Sequence, residues 1–294
     1  MGERFASPEQ VLERLRAADY LADEAIGSTL YLADRLDKPL LVEGPAGVGK
    51  TELAKAAAAV TGARLIRLLC YEGLDESRTL YEWNYRKQLL RIQAGGGLDA
   101  GGDWRALEED IFSEPFLLER PLLAAVRADD DVVLLVDEID RIEVETEALL
   151  LEVLAELQVT IPELGTIRGT RRPLVMLTSN NSRELSEALR RRCLYLPLDY
   201  PSLEREREIL LARVPGIEER LATQVARVVR SARHLDLRKP PSISETIDWA
   251  RALIALGHVE VTGDSLAATL PVLLKSRADL ATASRQLGVE PGAQ

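Results

Sequence analysis

Apolar residues recur at helical spacing between residues 8 and 36 (Val11, Leu12 and Leu15, then Ile26, Leu30 and Ala33), which predicts two helices ahead of the first strand. Leu40-Leu41-Val42 is a short apolar run ending in a glycine-rich turn, and residues 51–60 are Ala-rich with high helix propensity. Strand, loop and helix therefore follow one another. A second strand fits residues 64–70, and an aromatic-rich segment, 71–93, ends in a helical stretch. Residues 94–102 carry too many glycines to hold one conformation cheaply, so a mobile loop is expected there. Val132-Val133-Leu134-Leu135-Val136 is apolar at every position, as a central parallel strand covered on both faces should be. A helix at about 145–157 and a hairpin marked by Pro162, Gly165, Gly169 and Pro173 come next, with strands at 174–177 and 194–196. After Tyr200-Pro201 strand signals stop, and only helical periodicity remains near 202–213, 218–234, 242–256 and 264–276. The pattern predicts an α/β domain over residues 1–200, a parallel sheet between helices, and a small all-helical domain over 201–294.

Composition narrows the function classes. With 46% apolar and 29% charged residues, the chain can bury a core and is not of the disordered class. No apolar run approaches the roughly 18 to 20 residues of a membrane span, and Met1-Gly2-Glu3-Arg4-Phe5 lacks the pattern of a signal peptide, so no membrane span and a cytoplasmic location are expected. A net charge of −11 repels phosphodiester backbones and disfavours nucleic acid as a partner. Cys70 and Cys193 each sit in an apolar run that reads as a strand, which favours buried thiols. His234 and His258 have no ligand-spaced neighbours, so a zinc site is not expected.

The chemistry concentrates in two places. Gly44-Pro45-Ala46-Gly47-Val48-Gly49-Lys50-Thr51 has the spacing of a phosphate-binding loop and stands between a strand and a helix, the context the pattern requires. Its glycines allow backbone angles that aim successive N–H groups at phosphates, and the helix N-terminus adds its positive dipole end. Lys50 would reach the β- and γ-phosphates and Thr51 a magnesium ion, so ATP with Mg2+ is the expected cofactor pair. The second place is Asp137-Glu138-Ile139-Asp140, directly after the most apolar strand, where a parallel sheet presents its carboxyl edge to ligands. Asp137 suits magnesium and Glu138 suits activation of an attacking water as general base. That second carboxylate argues for hydrolysis rather than transfer. Asp140 reads instead as an acid at a helix N-terminus.

Together with Leu177-Thr178-Ser179-Asn180 and Ala188-Leu189-Arg190-Arg191-Arg192-Cys193, these motifs resemble in order and spacing the successive signatures of an AAA+ ATPase. The stretch from Glu156 through Arg172 is similar to the hairpin insertion of the MoxR group. Cys70-Tyr71-Glu72-Gly73-Leu74-Asp75, continued by Leu80-Tyr81-Glu82-Trp83-Asn84-Tyr85, resembles the MoxR-type ATPases that accompany carbon monoxide dehydrogenase and related molybdenum hydroxylases. The resemblance implies a P-loop AAA+ domain with a helical lid. It makes Asn180 the sensor that orients the lytic water, on a strand between those of the loop and Asp137; the other reading of Asn180 is a cap for a helix beginning near Ser182. Arg192 matches the arginine finger, with Arg190 and Arg191 as near alternatives. The second sensor departs from the family pattern: Pro240-Pro241-Ser242-Ile243-Ser244-Glu245 puts Ser244 where an arginine is usual, and Arg238 and Lys239 are its nearest substitutes. The family further implies a homo-oligomeric, hexameric ring, remodelling or chaperone activity, a partner with a von Willebrand factor A domain, and a metalloenzyme client.

Two other functions share the same loop. A DNA motor or loader is favoured by Arg168, Arg171 and Arg172 near the hairpin and opposed by the acidic balance. A small-molecule kinase is opposed by Glu138, by Arg192 and by a helical domain that lies wholly after the sheet. The aromatic residues Tyr71, Tyr81, Trp83 and Tyr85 fit either a client grip or core packing.

Overall fold

The computed structural model describes residues 4–94 and 104–288, so the glycine-rich stretch expected to be mobile lies, from residue 95 on, outside the described residues. Two capped helices, α1 (Pro8–Ala17) and α2 (Glu24–Arg35), lead into strand β1 (Leu40–Glu43). The Ser7 hydroxyl accepts from the Gln10 amide and the Asp23 carboxylate from the Ile26 amide, each cap contributing about 1 kcal/mol. Next come α3 (Lys50–Thr61), β2 (Arg64–Leu69), α4 (Glu76–Thr79), β3 (Tyr81–Trp83), α5 (Tyr85–Ala94), α6 (Trp104–Ile111), β4 (Leu117–Glu119) and α7 (Pro121–Val126). Strand β5 (Val132–Asp137) and α8 (Val144–Glu156) precede a hairpin of β6 (Gln158–Ile161) and β7 (Gly165–Arg168), then β8 (Leu174–Ser179), α9 (Glu187–Arg192) and β9 (Leu194–Pro197). Five helices close the described chain: α10 (Leu203–Arg213), α11 (Glu219–Arg233), α12 (Ile243–Ala255), α13 (Gly263–Leu273) and α14 (Arg277–Gln286).

The five long strands form one parallel sheet in the order β2-β5-β8-β1-β9. Burial follows that order. Strands β5, β8 and β1 are buried at every residue, whereas the edge strands β2 and β9 alternate. Because β8 lies between β5 and β1, and Glu43 pairs with Ser179 while Val136 pairs with Leu177, the carboxyl ends of all three meet at one edge. The expected α/β architecture with helices after it is the one observed.

The chain divides into two compact units. One comprises Met1–Glu43 with Thr51–Pro197, and the other Gly44–Lys50 with Leu198–Gln294. The phosphate loop groups with the C-terminal helices, to which its backbone is bonded: the Ile243 amide donates to the Gly47 carbonyl at 3.1 Å. In the second unit Glu206 and Arg233 form a doubly hydrogen-bonded pair, 1% and 7% exposed, and the guanidinium stacks over Tyr200 at 4.3 Å. Among the described residues no helix is long and apolar enough to cross a membrane.

Several details differ from the expected ones. Neither cysteine lies in a strand: Cys70 follows β2 and Cys193 caps α9. No helix begins near Ser182, since residues 180–186 are irregular and α9 starts at Glu187 with the Ser186 hydroxyl as its cap. The β3–β4 ribbon and α14 went unpredicted, the first because three-residue strands are too short for a period. Of the aromatic residues, Trp83 is buried in an edge-to-face pair with Phe112 (centroids 5.2 Å apart), whereas Tyr85 is 61% exposed. Arg171 and Arg172 lie beyond the hairpin strands; Arg171 pairs with Asp131, and the Arg172 guanidinium donates to the Ala155 carbonyl.

Candidate functional site

Asp137 ends the fully buried strand β5 and is 2% exposed. A carboxylate that deep must be compensated, and four donors do so. Its Oδ1 accepts from the Thr51 hydroxyl at 3.0 Å and the Thr178 hydroxyl at 2.6 Å. Its Oδ2 accepts from Arg67 Nε at 3.0 Å and Nη2 at 2.5 Å. Thr51 heads the helix after the loop and Thr178 lies near the end of β8, so three elements converge on one carboxylate. The donor set of a hydroxyl and a carboxylate suits Mg2+, which takes few protein oxygens and completes its shell with water and phosphate. No group of three or more His, Cys, Asp or Glu among the described residues could hold a metal by itself.

Glu138 stands in the left-handed region (φ 59°, ψ 47°), a conformation that costs a non-glycine residue roughly 1–2 kcal/mol. The strain is held by Thr178, whose hydroxyl accepts from the Glu138 amide at 2.9 Å while donating to Asp137. One threonine therefore fixes both acids. The Glu138 side chain, one-third exposed, meets only Arg141 (2.8 Å) among the described residues. Thr178 lay inside a recognised motif yet had no assigned role; its place on the strand beside β5 is the signal that marks it.

The loop after β8 carries Asn180, whose amide donates to Asp140 at 3.2 Å. Asp140 lies in the first turn of a short 3-10 helix, Ile139–Arg141, as an acid at a helix N-terminus, and it also serves the loop after β8. It is 3% exposed and also accepts from the Ser182 amide and hydroxyl. Burial pushes its carboxyl upward, but those hydrogen bonds outweigh burial and hold it below the ordinary carboxylate range. Glu147, 1% exposed, ties down the other end of the loop through Arg183 and the Ser186 amide. Asn180 is thereby positioned by two buried carboxylates rather than by a helix.

In the second unit the phosphate loop turns on Gly47 (φ 75°) and Gly49 (φ 101°), where a side chain would be strained. Crowding adds a second constraint. A Cβ at Gly44 would lie 1.8 Å from the Leu198 carbonyl oxygen, and one at Gly47 would lie 2.2 Å from the Ser242 side chain. Lys50 is 6% exposed and folds back, its ammonium donating to the Gly44 and Pro45 carbonyls at 2.7 Å each. Ser242 and Glu245 form a capping box at the start of α12, and Ser244 is exposed. The amides of Arg238 and Lys239 both donate to buried Asp279, which leaves their side chains at the surface.

The three consecutive arginines have different surroundings. Arg190 is committed to Glu43 at 2.8 Å, which also accepts from the Tyr195 hydroxyl. Arg191 pairs with Glu187 on the surface. Arg192 is exposed, has no hydrogen bond or ion pair among the described residues, and lines a cavity of about 200 Å³ with Lys38, Arg172, Leu154, Leu189 and Cys193. The Leu194 amide donates to the Pro39 carbonyl, so Arg192 sits at the amino edge of the sheet, the opposite end from Asp137.

Burial pushes both thiols up to about 12, and for Cys70 the charges of Asp137, Asp140 and Glu138 add to it. At pH 8 only ~10⁻⁴ of each is then thiolate, the reactive form. Ellman-type titration at pH 8 is expected to find no fast-reacting thiol in the folded chain and two after unfolding in guanidinium; a fast thiol in the folded chain contradicts this environment.

A family model described as AAA domain (dynein-related subfamily) matches residues 39–193. No curated protein matches the chain. Solved structures of Thermotoga maritima RuvB are similar to it. A point mutant is 18% identical, with 98% of this chain and 84% of that one covered and a TM-score of 0.49. The structure described as the RuvB Holliday junction branch migration motor is 18% identical, with 98% and 86% covered and a TM-score of 0.47.

Proposed function

The chain belongs to the AAA domain family, in its dynein-related subfamily, and from that premise we propose that it hydrolyses ATP to ADP and phosphate and uses the energy to remodel a protein client. The observation that carries the reading is the Thr178 hydroxyl, which joins the Asp137 carboxylate to the Glu138 backbone amide and so holds two unlike acids side by side, one buried and fully hydrogen-bonded, the other on a strained residue with its side chain one-third exposed. Environments that separate two neighbouring acids assign them different tasks.

Residues 44–50 cradle the phosphates with their amides, and Lys50 leaves the Gly44 and Pro45 carbonyls to meet the β- and γ-phosphates. Thr51 and Asp137 are the residues that would hold Mg2+, which neutralises phosphate charge when bound. Glu138 takes the proton of the attacking water, Asn180 orients that water, and Arg192 stabilises transition-state charge in the site of an adjacent copy. The amino-edge position of Arg192, with Arg190 and Arg191 already paired, supports its choice over them and supports a ring, taken as hexameric. The MoxR-like segments 70–85 and 156–172 support a chaperone that works with a von Willebrand factor A domain partner on a metalloenzyme client such as a molybdenum hydroxylase. The net charge of −11 weighs against DNA as the substrate.

Lys50→Ala tests the core of this reading. It removes the cation that faces the phosphates, and isothermal titration is expected to show tight ATP binding lost. Unchanged affinity sinks the loop assignment.

A further inference from the structure

We propose that Arg67 is a built-in counter-ion of the metal-binding carboxylate, a positioning residue that Mg2+ must displace from Asp137 and that thereby sets the metal affinity of the site. The inference rests on the reading above, in which Thr51 and Asp137 serve the metal.

An ionised carboxylate offers about four acceptor positions. On Asp137 the Thr51 and Thr178 hydroxyls take those of Oδ1 and the Arg67 fork takes those of Oδ2. A metal-bound water is a donor as well and needs one of these places. Thr178 is 1% exposed on a central strand and its hydroxyl also holds Glu138, so moving it would release both acids. Arg67 stands on edge strand β2 with its side chain 46% exposed, a long flexible stem with water beside it. It is the donor that can leave at least cost.

Two consequences follow from the charges. Without metal, the guanidinium compensates a carboxylate whose side chain is only 4% exposed, which otherwise would be an uncompensated buried charge. With metal, Arg67 remains tethered on the neighbouring strand and its positive charge opposes the incoming cation. Metal alone is therefore held weakly, and the phosphates' negative charge tips the exchange. Arg67 makes the site accept metal with nucleotide rather than ahead of it.

The test titrates Mn2+ by electron paramagnetic resonance into the parent chain, Arg67→Gln and Arg67→Lys, without nucleotide and with saturating ADP, circular dichroism confirming that each is folded. Arg67→Gln is expected to bind Mn2+ about tenfold more tightly, since a nearby positive charge is gone. Arg67→Lys keeps the charge that the buried acid needs but offers a point donor in place of the fork, and is expected to gain about threefold. Affinity in folded Arg67→Gln equal to or below that of the parent overturns the proposal, and should that variant fail to fold, parent-like affinity in Arg67→Lys does the same. ADP that leaves Mn2+ affinity unchanged in all three chains speaks against the nucleotide-and-metal reading, while the order of the three without nucleotide still judges Arg67.

Discussion

Arg192→Ala is expected to bind ATP as the parent chain does and to hydrolyse it ~10³-fold more slowly or worse, the loss typical of an arginine that stabilises transferring phosphate. Position is the reason. Arg192 ends α9 two residues ahead of β9, whose Leu194 pairs with Leu40 at the start of β1, so roughly 10 Å of strand separates the start of β9 from the level of Glu43 at the carboxyl end of β1. We expect Arg192 to act in the site of a neighbour, since it lies at the opposite end of the sheet from Asp137 and its guanidinium has no hydrogen bond or ion pair among the described residues. The measurement is a mixing assay. Lys50→Ala supplies intact arginines and a dead loop, Arg192→Ala the reverse, and exchange of subunits creates junctions where both are intact. Phosphate release should partly return. If rings shown to be mixed stay inactive while both variants remain folded and assembled, action in trans by Arg192 is excluded, and Arg190 or Arg191 becomes the residue to test.

Glu138→Gln is expected to keep ATP affinity while slowing hydrolysis by roughly 10² to 10⁴, the range of a positioned general base. Glutamine preserves the side chain's shape and leaves the backbone amide bond to Thr178 in place, so the left-handed turn and Asp137 should stay where they are. The ion pair to Arg141 is also lost. Arg141 is 56% exposed, and a screened surface pair is worth under ~1 kcal/mol, too little to account for such a drop. Parent-like turnover measured by phosphate release would place the base elsewhere and revive transfer to a phosphoryl acceptor.

What the sequence made legible was whatever depends on local order. Val132 to Val136 announces a central strand because every residue is buried on one face or the other, and the loop announces itself because Gly47 and Gly49 must adopt positive φ within a fixed spacing. Register between strands is not local, and that is where reading failed. Thr178 and Arg67 reach Asp137 from two different neighbouring strands, so nothing beside either residue hints at the contact. Asp140 reads as a helix-end acid, which it is, but its second task is hidden because its partners, the amides of residues 180 and 182, become neighbours only when β8 lies against β5. The helix that Asn180 would cap near Ser182 is absent because that stretch is bonded elsewhere, the Ser182 hydroxyl to Asp140 and the Ser186 amide to Glu147.

The contact of Gly47 with Ser242 bears on how this molecule can vary by descent. Glycine at 47 leaves room for a serine at 242, and a methyl group at 47 would overlap it. A bulkier residue at 242 would press on the turn that presents amides to phosphate, so the two positions should be inherited as a matched pair although most of the chain separates them. The C-terminal helices are then not an interchangeable module. A chimera that took them from a relative with a larger residue at 242 would disturb the phosphate loop itself, even with residues 44–51 left unaltered.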